Sequence, residues 1–518
     1  MTYSIVWFKR DLRLHDHLAL HTATSKGPVL CLYVVEPSLW AQADAANQHY
    51  QFLLESLREL YTALRKSGGQ LHILTGEITE VFAQVFAHQP FAAIYSHEET
   101  GNSVTYQRDK ALARWCRAQQ VEWHEFAQFG VVRRLRSRDD WQASWNAHND
   151  SPCVALPPLS AAKFTPLTPA ITLPRLPPSV QDLHLEPYDP PARQRGGRQN
   201  GLMILDSFLR ERSHQYRGGI SSPLSAPTAC SRLSPYLAFG CLSLREIVHA
   251  TRDHIASLPV TAERHKKGLE AFISRLYWHC HFIQKLESEP EIEYRNMHRG
   301  YDGLREQEFN QAHFEALISA RTGWPLVDAC VTMLRQTGWL NFRMRAMLVS
   351  VAAYPLWLDW RPVGLWLARQ FLDYEPGIHW SQMQMQSGTT GMNVPRIYNP
   401  VKQASGHDPH GHFVRRWLPA MRRVPDTWLF EPWRMPPDVQ AACGVKVGVD
   451  IPVPIVDLEQ ATRIAKTRLF DLRKQPHMQA PKLAVIEKHG SRKKTPGKTH
   501  QQTASSKQPV SLQLELDW

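Results

Sequence analysis

Prolines crowd residues 151–193 (SPCVALPPLS, LTPAITLPRLPP, EPYDPPAR). Each locks its own φ and lacks the N–H that a helix interior or a central strand requires, so no long regular element can run through this stretch. A segment of that length with no structure of its own must lie over a surface, and it divides the chain. At 518 residues the polypeptide is too long for one core, so two domains are expected. The reading is an amino-terminal domain at 1–130, a Pro-rich connector at 131–200, a second domain at 201–474 and a basic polar tail at 475–518 expected to be disordered.

The two flanks differ in hydrophobic period. Before the prolines, short apolar runs at 3–8, 29–35, 70–74, 92–95 and 122–126 alternate with amphipathic stretches at 49–66, 78–87 and 104–119. That alternation is the pattern of βαβ units, and it predicts an α/β doubly wound parallel sheet. No GxGxxG follows the first strand, so a dinucleotide site there is unsupported. After the connector, LMILDSFLRERSHQY, GLEAFISRLYWHCHFIQKLE, WPLVDACVTMLRQTGWLNFRMRAMLVSVAAY and VGLWLARQFLDYE repeat their apolar residues three and four apart. A large all-α domain follows.

Sixty Lys and Arg against 48 Asp and Glu give a formal charge of +12, which favours a polyanionic partner such as nucleic acid. The first residues lack the apolar run and cleavage site of a secretion signal, and no uncharged stretch has the length of a membrane span, so a cytoplasmic monomer is expected. The eight cysteines form no CxxC pair, which argues against a disulfide framework or a zinc ribbon, and no metal is expected. Seventeen tryptophans point to core packing, stacking or redox chemistry.

Several motifs occur in a fixed order: WFKRDLRLHDH at the start, SRLSPYLAFGCLS (231–243), TGWPLVDACVTMLRQTGWLNFRMR (322–345), LDYEPG (372–377), RIYNPVKQ (396–403), RRWLP (415–419) and EPW (431–433). Together they resemble the DNA photolyase and cryptochrome superfamily over roughly residues 1–470. The resemblance implies an α/β antenna domain and a helical domain holding a U-shaped FAD, with a second antenna chromophore (folate, deazaflavin or flavin) a further option that SHEETGN (96–102) does not decide.

It also assigns residues. Tyr216, Cys230, Ser231, Arg232, Leu233 and Ser234 match the flavin-phosphate region, where hydroxyls and free N–H groups at a helix start suit a pyrophosphate. Ordinary helix capping is the plainer account of the serines, and the family commonly has Thr where this chain has Cys230. Asp373, Tyr374 and Glu375 match the segment beside the isoalloxazine and ribose, with Arg345 paired to the first acid; the alternative is a structural salt bridge between helices. His379 falls where the family usually places an Asn facing flavin N5.

Trp278 matches the tryptophan that stacks an extruded base, and Arg343, Arg396 and Gln403 match DNA-facing positions, against a core Trp and a solvated basic face as alternatives. Arg275 stands where cyclobutane-dimer photolyases carry a glutamate; Phe342 and Ala346 stand where (6-4) photolyases carry histidines. Arg275, Trp278 and His379 are the candidate catalytic residues. For electron supply, Trp360 matches the middle tryptophan of the usual route, Met383 replaces the proximal one, and Trp380 is a candidate substitute. Only Cys443 lies near the carboxyl end, which excludes the iron–sulfur type.

The resemblance therefore implies light-driven repair of DNA containing pyrimidine dimers. A cryptochrome photoreceptor of the same fold is the alternative. A light-independent nucleic-acid-binding flavoprotein would explain the charge but not the flavin motifs.

Overall fold

The computed structural model describes residues 3–392 and 394–491. Five parallel strands, β1 (Ser4–Phe8), β2 (Val29–Val35), β3 (Leu71–Thr75), β4 (Ala93–His97) and β5 (Glu122–Phe126), lie in the order β3-β2-β1-β4-β5. The register sets Ile5 beside Leu30 on one side and Ile94 on the other. Helices α1 (Leu18–Lys26), α2 (Asn47–Lys66), α3 (Ile78–His88) and α4 (Ser103–Gln119) cover the two faces. Alternate residues of β1 feed different layers: Val6 and Phe8 join the core under α2, while Ile5 and Trp7 join the core under α3 and α4. This is the doubly wound sheet expected from the alternating pattern, with boundaries moved by one or two residues.

The sheet is tied to its first helix by a buried cluster. Asp11 Oδ2 lies 2.9 Å from His17 Nε2 and 2.8 Å from His97 Nδ1, and these three side chains have ligand atoms within 4.8 Å of one another. His17 Nδ1 accepts from the Leu20 N–H at the start of α1, which leaves the His17 proton on Nε2 facing Asp11. Together the His97–Asp11 and Leu20–His17 hydrogen bonds and the close His17–Asp11 contact pin α1 to the sheet. Burial opposes the Asp11 charge, but both imidazoles outweigh it and hold the carboxyl well below the usual range.

The connector crosses the α/β surface without long regular structure from 151 to 197, with one short turn at Ala161–Lys163. Tyr50 donates to the Pro178 carbonyl and Asn47 to that of Pro187, so α2 holds it down. Earlier in the connector range, α5 (Trp141–Asp150) is a helix that buries Trp141 and Trp145; it precedes the first of the crowded prolines.

The rest is helical. The elements used below are α6 (Arg198–Arg210), α7 (Ser234–Ala238), α8 (Leu244–Ser257), α9 (Glu263–Ser288), α10 (Pro325–Thr337), α11 (Phe342–Ala353), α12 (Trp360–Gln370), α13 (Pro376–Ser387), α14 (Pro400–His407) and α15 (Leu458–Lys474). The tail expected to be disordered begins with another helix, α16 (Gln479–His489). His489 bonds Glu289 at 2.8 Å and Val485 is buried, so tertiary contacts order a segment whose polarity suggested none. The basic run from 492 onward lies outside the described residues. Among the described residues no helix is long and apolar enough to cross a membrane.

The two domains meet closely after β1. Arg13 donates to the Gly240 carbonyl at 2.9 Å, and Arg245 pairs with Asp16 at 2.8 Å. Gly240 has φ +64°, and a Cβ there would come within 2.0 Å of the Arg10 carbonyl oxygen. Only glycine satisfies both constraints.

Candidate cofactor and nucleic-acid site

The segment between α12 and α13 carries Asp373 and Glu375. Asp373 receives two hydrogen bonds from Arg345 of α11, at 2.9 and 3.0 Å, and a third from the Ser234 hydroxyl at 2.6 Å. Burial works against the Asp373 charge, but Arg345 prevails and its pKa falls below the ordinary value. The expected pairing is therefore present. Ser234 is the first residue of α7, whose cap position is Leu233, and no side chain caps that helix; its hydroxyl serves Asp373 instead, which replaces the capping account.

Upstream of α7, the loop through Cys230, Ser231 and Arg232 is held by Arg212, a residue the sequence reading passed over. Its guanidinium donates to the carbonyls of Ile204, Thr228, Ser231 and Cys230. Arg232 takes φ +63°, stacks its guanidinium 3.9 Å over Trp339 and bonds Gln194. Burial lowers its pKa to about 10, and among the described residues it forms no ion pair with a carboxylate. Leu233 and Tyr216 are buried, Tyr216 edge-on to Phe208 and Phe272. Burial raises the Cys230 thiol to about 12, so it stays neutral.

Glu375 is buried, and its Oε1 has no hydrogen-bond partner among the described residues. Desolvation raises its pKa to about 7 against the pull of Arg10. His379, one turn into α13, donates from Nε2 to the Gly364 carbonyl at 2.9 Å. Burial lowers its pKa to about 4, so the ring is neutral with Nδ1 as an acceptor. Tyr374 donates to Asp44 at 2.6 Å.

Trp380 follows His379 and lies 5.8 Å from Trp360, centroid to centroid, at 64°. Gly364 makes room for it: a Cβ there would meet the Trp380 ring at 2.5 Å. Trp360 donates to Asn296, and Met383 is buried. On α9, Arg275 and Trp278 are three residues apart and half-buried, and Trp278 packs against His281 and Phe282 at 4.8 and 5.9 Å. Tyr216 meets α9 edge-on at Phe272, one turn before Arg275.

Arg343, Arg396 and Gln403 line a single groove of about 500 Å³ with Tyr398, Asn399, Lys402, Thr462 and Lys466. Among the described residues no acidic one lines it. Lys402, beside Gln403, and Lys466, on α15, are cations that motif matching did not single out; Lys466 is 123 positions from Arg343 on the α11 wall, so only the fold brings it there. Arg343 and Arg345 are two residues apart on the first turn of α11, about 3 Å along the helix axis, so one turn carries both the groove and the acid pair. A separate cavity of about 120 Å³ lies beyond the carboxyl ends of β1, β2 and β4, between Arg10, Glu36, Asp44, Glu99 and Tyr374, where open α/β sheets take ligands.

Comparison with known proteins matches both halves. Residues 4–136 match a family profile described as DNA photolyase, and residues 272–471 one described as the FAD binding domain of DNA photolyase. The chain is 28% identical to cryptochrome DASH of Gloeobacter violaceus, over 88% of this chain and 93% of that protein. It is 27% identical to the deoxyribodipyrimidine photo-lyase of Alkalihalophilus pseudofirmus, over 87% and 94%. Among solved structures, an archaeal photolyase from Sulfolobus tokodaii with two FAD molecules superposes with a TM-score of 0.71 at 25% identity, over 91% of this chain and 100% of that one. The residues fit FAD. Arg232 is a half-buried cation without a carboxylate partner among the described residues, suited to the pyrophosphate, and Glu375 Oε1 is a buried acceptor suited to a ribityl hydroxyl or a ring N–H.

Proposed function

The chain belongs to the DNA photolyase and cryptochrome family, and from that premise we propose that it is an FAD-dependent photolyase-type lyase, a cytoplasmic monomer that uses light to repair pyrimidine dimers in DNA. The observation that supports repair is the acid-free groove of Arg343, Arg396, Lys402 and Lys466. Four cations lining one groove suit a phosphodiester backbone, and Arg343 lies on the same turn of α11 as Arg345, the partner of Asp373.

FAD, once bound and reduced, supplies a photoexcited electron to the dimer. The protein's own residues do the rest. Arg345, Asp373 and Ser234 fix one edge of the cofactor site, and His379 presents a neutral acceptor. Trp278 offers its face to an extruded base, and Arg275, one turn away, donates hydrogen bonds to a pyrimidine carbonyl as negative charge builds there. Trp380 and Trp360 carry electrons toward the flavin. The cavity at the strand ends is the place for a second chromophore, a reading supported by the archaeal photolyase with two FAD molecules.

A cryptochrome photoreceptor is the second reading, favoured by Arg275 in place of the dimer-binding glutamate. The deciding experiment incubates reduced protein with oligonucleotides bearing each dimer, in blue light and in darkness. Light-dependent loss of one lesion is expected. Loss of none, with FAD bound, refutes repair and leaves the photoreceptor.

A further inference from the structure

The short segment bearing Asp373 and Glu375 belongs in sequence to the helical domain, yet the α/β domain grips it and the end of α12 before it at four points. Gln48 Nε2 donates to the Arg369 carbonyl at 2.6 Å, and His49 Nε2 lies 2.9 Å from that of Phe371. Asp44 accepts from Tyr374 at 2.6 Å, and Arg10 Nη1 lies 3.8 Å from Glu375 Oε2. Three of these side chains come from α2 and the loop before it; Arg10 comes from the end of β1. A segment outside regular structure has no ladder to hold its side chains in place. Here the other domain supplies the restraint.

Arg10 is available for this role. The other carboxylate in ion-pair range, Glu99 at 3.7 Å, is already bound by Arg108 at 2.7 Å, and Asp44, which also lies near Arg10, accepts from Tyr374. Glu375 in turn has few charged neighbours: Arg10 from β1 and Glu99 after β4, with the Cys280 thiol of α9, raised to about 12 by burial, staying neutral. Without Arg10, a buried carboxylate facing Glu99 would take up a proton.

We propose that the α/β domain is a working part of the FAD site, with Arg10 a positioning residue that pairs with the Glu375 carboxyl and turns it toward the cofactor, and Asp44 holding the adjacent Tyr374. The inference rests on FAD binding and not on which reaction follows. It also means that FAD affinity depends on residues outside the 272–471 region that matches the FAD-binding profile. Because Arg10 and Asp44 also line the cavity at the strand ends, the two places share a wall.

The test titrates FAD into deflavinated full-length protein, following flavin fluorescence from about pH 6 to about pH 9, for wild type, Arg10→Gln, Glu375→Gln and the double variant. Wild-type affinity should fall as pH drops through about 7, where Glu375 takes up its proton. Arg10→Gln should weaken FAD binding about tenfold near pH 8 and move that step to higher pH. Glu375→Gln should abolish the step, and adding Arg10→Gln to it should change affinity by less than about twofold. A merely structural Arg10 would not move the pH step. Affinity within about twofold of wild type in Arg10→Gln, or losses that multiply in the double variant, would overturn the proposal. Should Arg10→Gln not fold, Arg10→Lys keeps the charge and must retain the step near wild-type pH; failure to do so counts against the proposal. A wild type that binds no FAD overturns the cofactor assignment and the proposal with it.

Discussion

Replacing Asp373 by Asn keeps the shape of the side chain and removes its charge from beside Arg345. In the native protein the Asp373 side chain is 6% exposed and that of Arg345 22%. Arg345 would lose one of its two bonds and the opposing charge, but keep the Leu340 carbonyl at 2.6 Å and its stack on Phe371 at 4.1 Å. Breaking a buried ion pair by removing one partner costs about 3–5 kcal/mol. The partial exposure of Arg345 lets water reach the stranded guanidinium, which sets the expectation at the lower end, about 3 kcal/mol. Urea unfolding of the apo protein, followed by far-UV circular dichroism, reads this as a lower midpoint with an unchanged slope in the helical-domain transition. Because Asp373 has a lowered pKa in the folded state, its contribution is present above the unfolded value of about 4 and is lost as pH falls through the folded one. The gap between wild type and Asp373→Asn should therefore close in acid. Adding Arg345→Met should recover part of the loss, since no charge is then stranded. A loss below about 1 kcal/mol, or a double variant less stable than Asp373→Asn, would refute the account of Arg345 as a cation dependent on Asp373.

Arg343→Ala and Lys466→Ala should each flatten the dependence of log DNA affinity on log salt by about one unit; slopes equal to wild type would remove both from the DNA interface. Trp380→Phe should slow light-driven FAD reduction by an added thiol by about tenfold or more, a loss of about 1.4 kcal/mol or more in the rate-limiting step, with FAD content unchanged; an unaltered rate would exclude the Trp380 to Trp360 route. Gly364→Ala places a methyl where the Trp380 ring sits, and a loss of about 1–3 kcal/mol is expected from overpacking; an unchanged melting temperature would contradict that contact. Arg275→Ala should slow dimer loss by roughly ten- to a hundredfold while FAD stays bound, and equal repair rates would take Arg275 out of the lesion pocket.

What the residues alone determined were the features that rest on local rules. Alternation of apolar runs with amphipathic stretches is a period along the chain, so the five strands and the doubly wound class were legible, and Ser4–Phe8 and Val29–Val35 fall where the apolar runs placed them. The proline run forbade long regular elements between 151 and 193 by its backbone chemistry, and the family resemblance carried by the ordered motifs implied that Arg345 pairs with Asp373. Tertiary structure decided the rest. Ser234 donates to Asp373 and caps nothing because α7 and the acid segment, 139 residues apart, converge. Residues 479–489 form a helix because Glu289 and the core around Val485 receive it, a contact no local propensity encodes. Arg10, Asp44, Gln48 and His49 carry no motif for a flavin, since their role depends on where another domain sets Tyr374 and Glu375. Local composition and period specify which elements form; which side chains face one another across hundreds of residues is settled only when those elements pack.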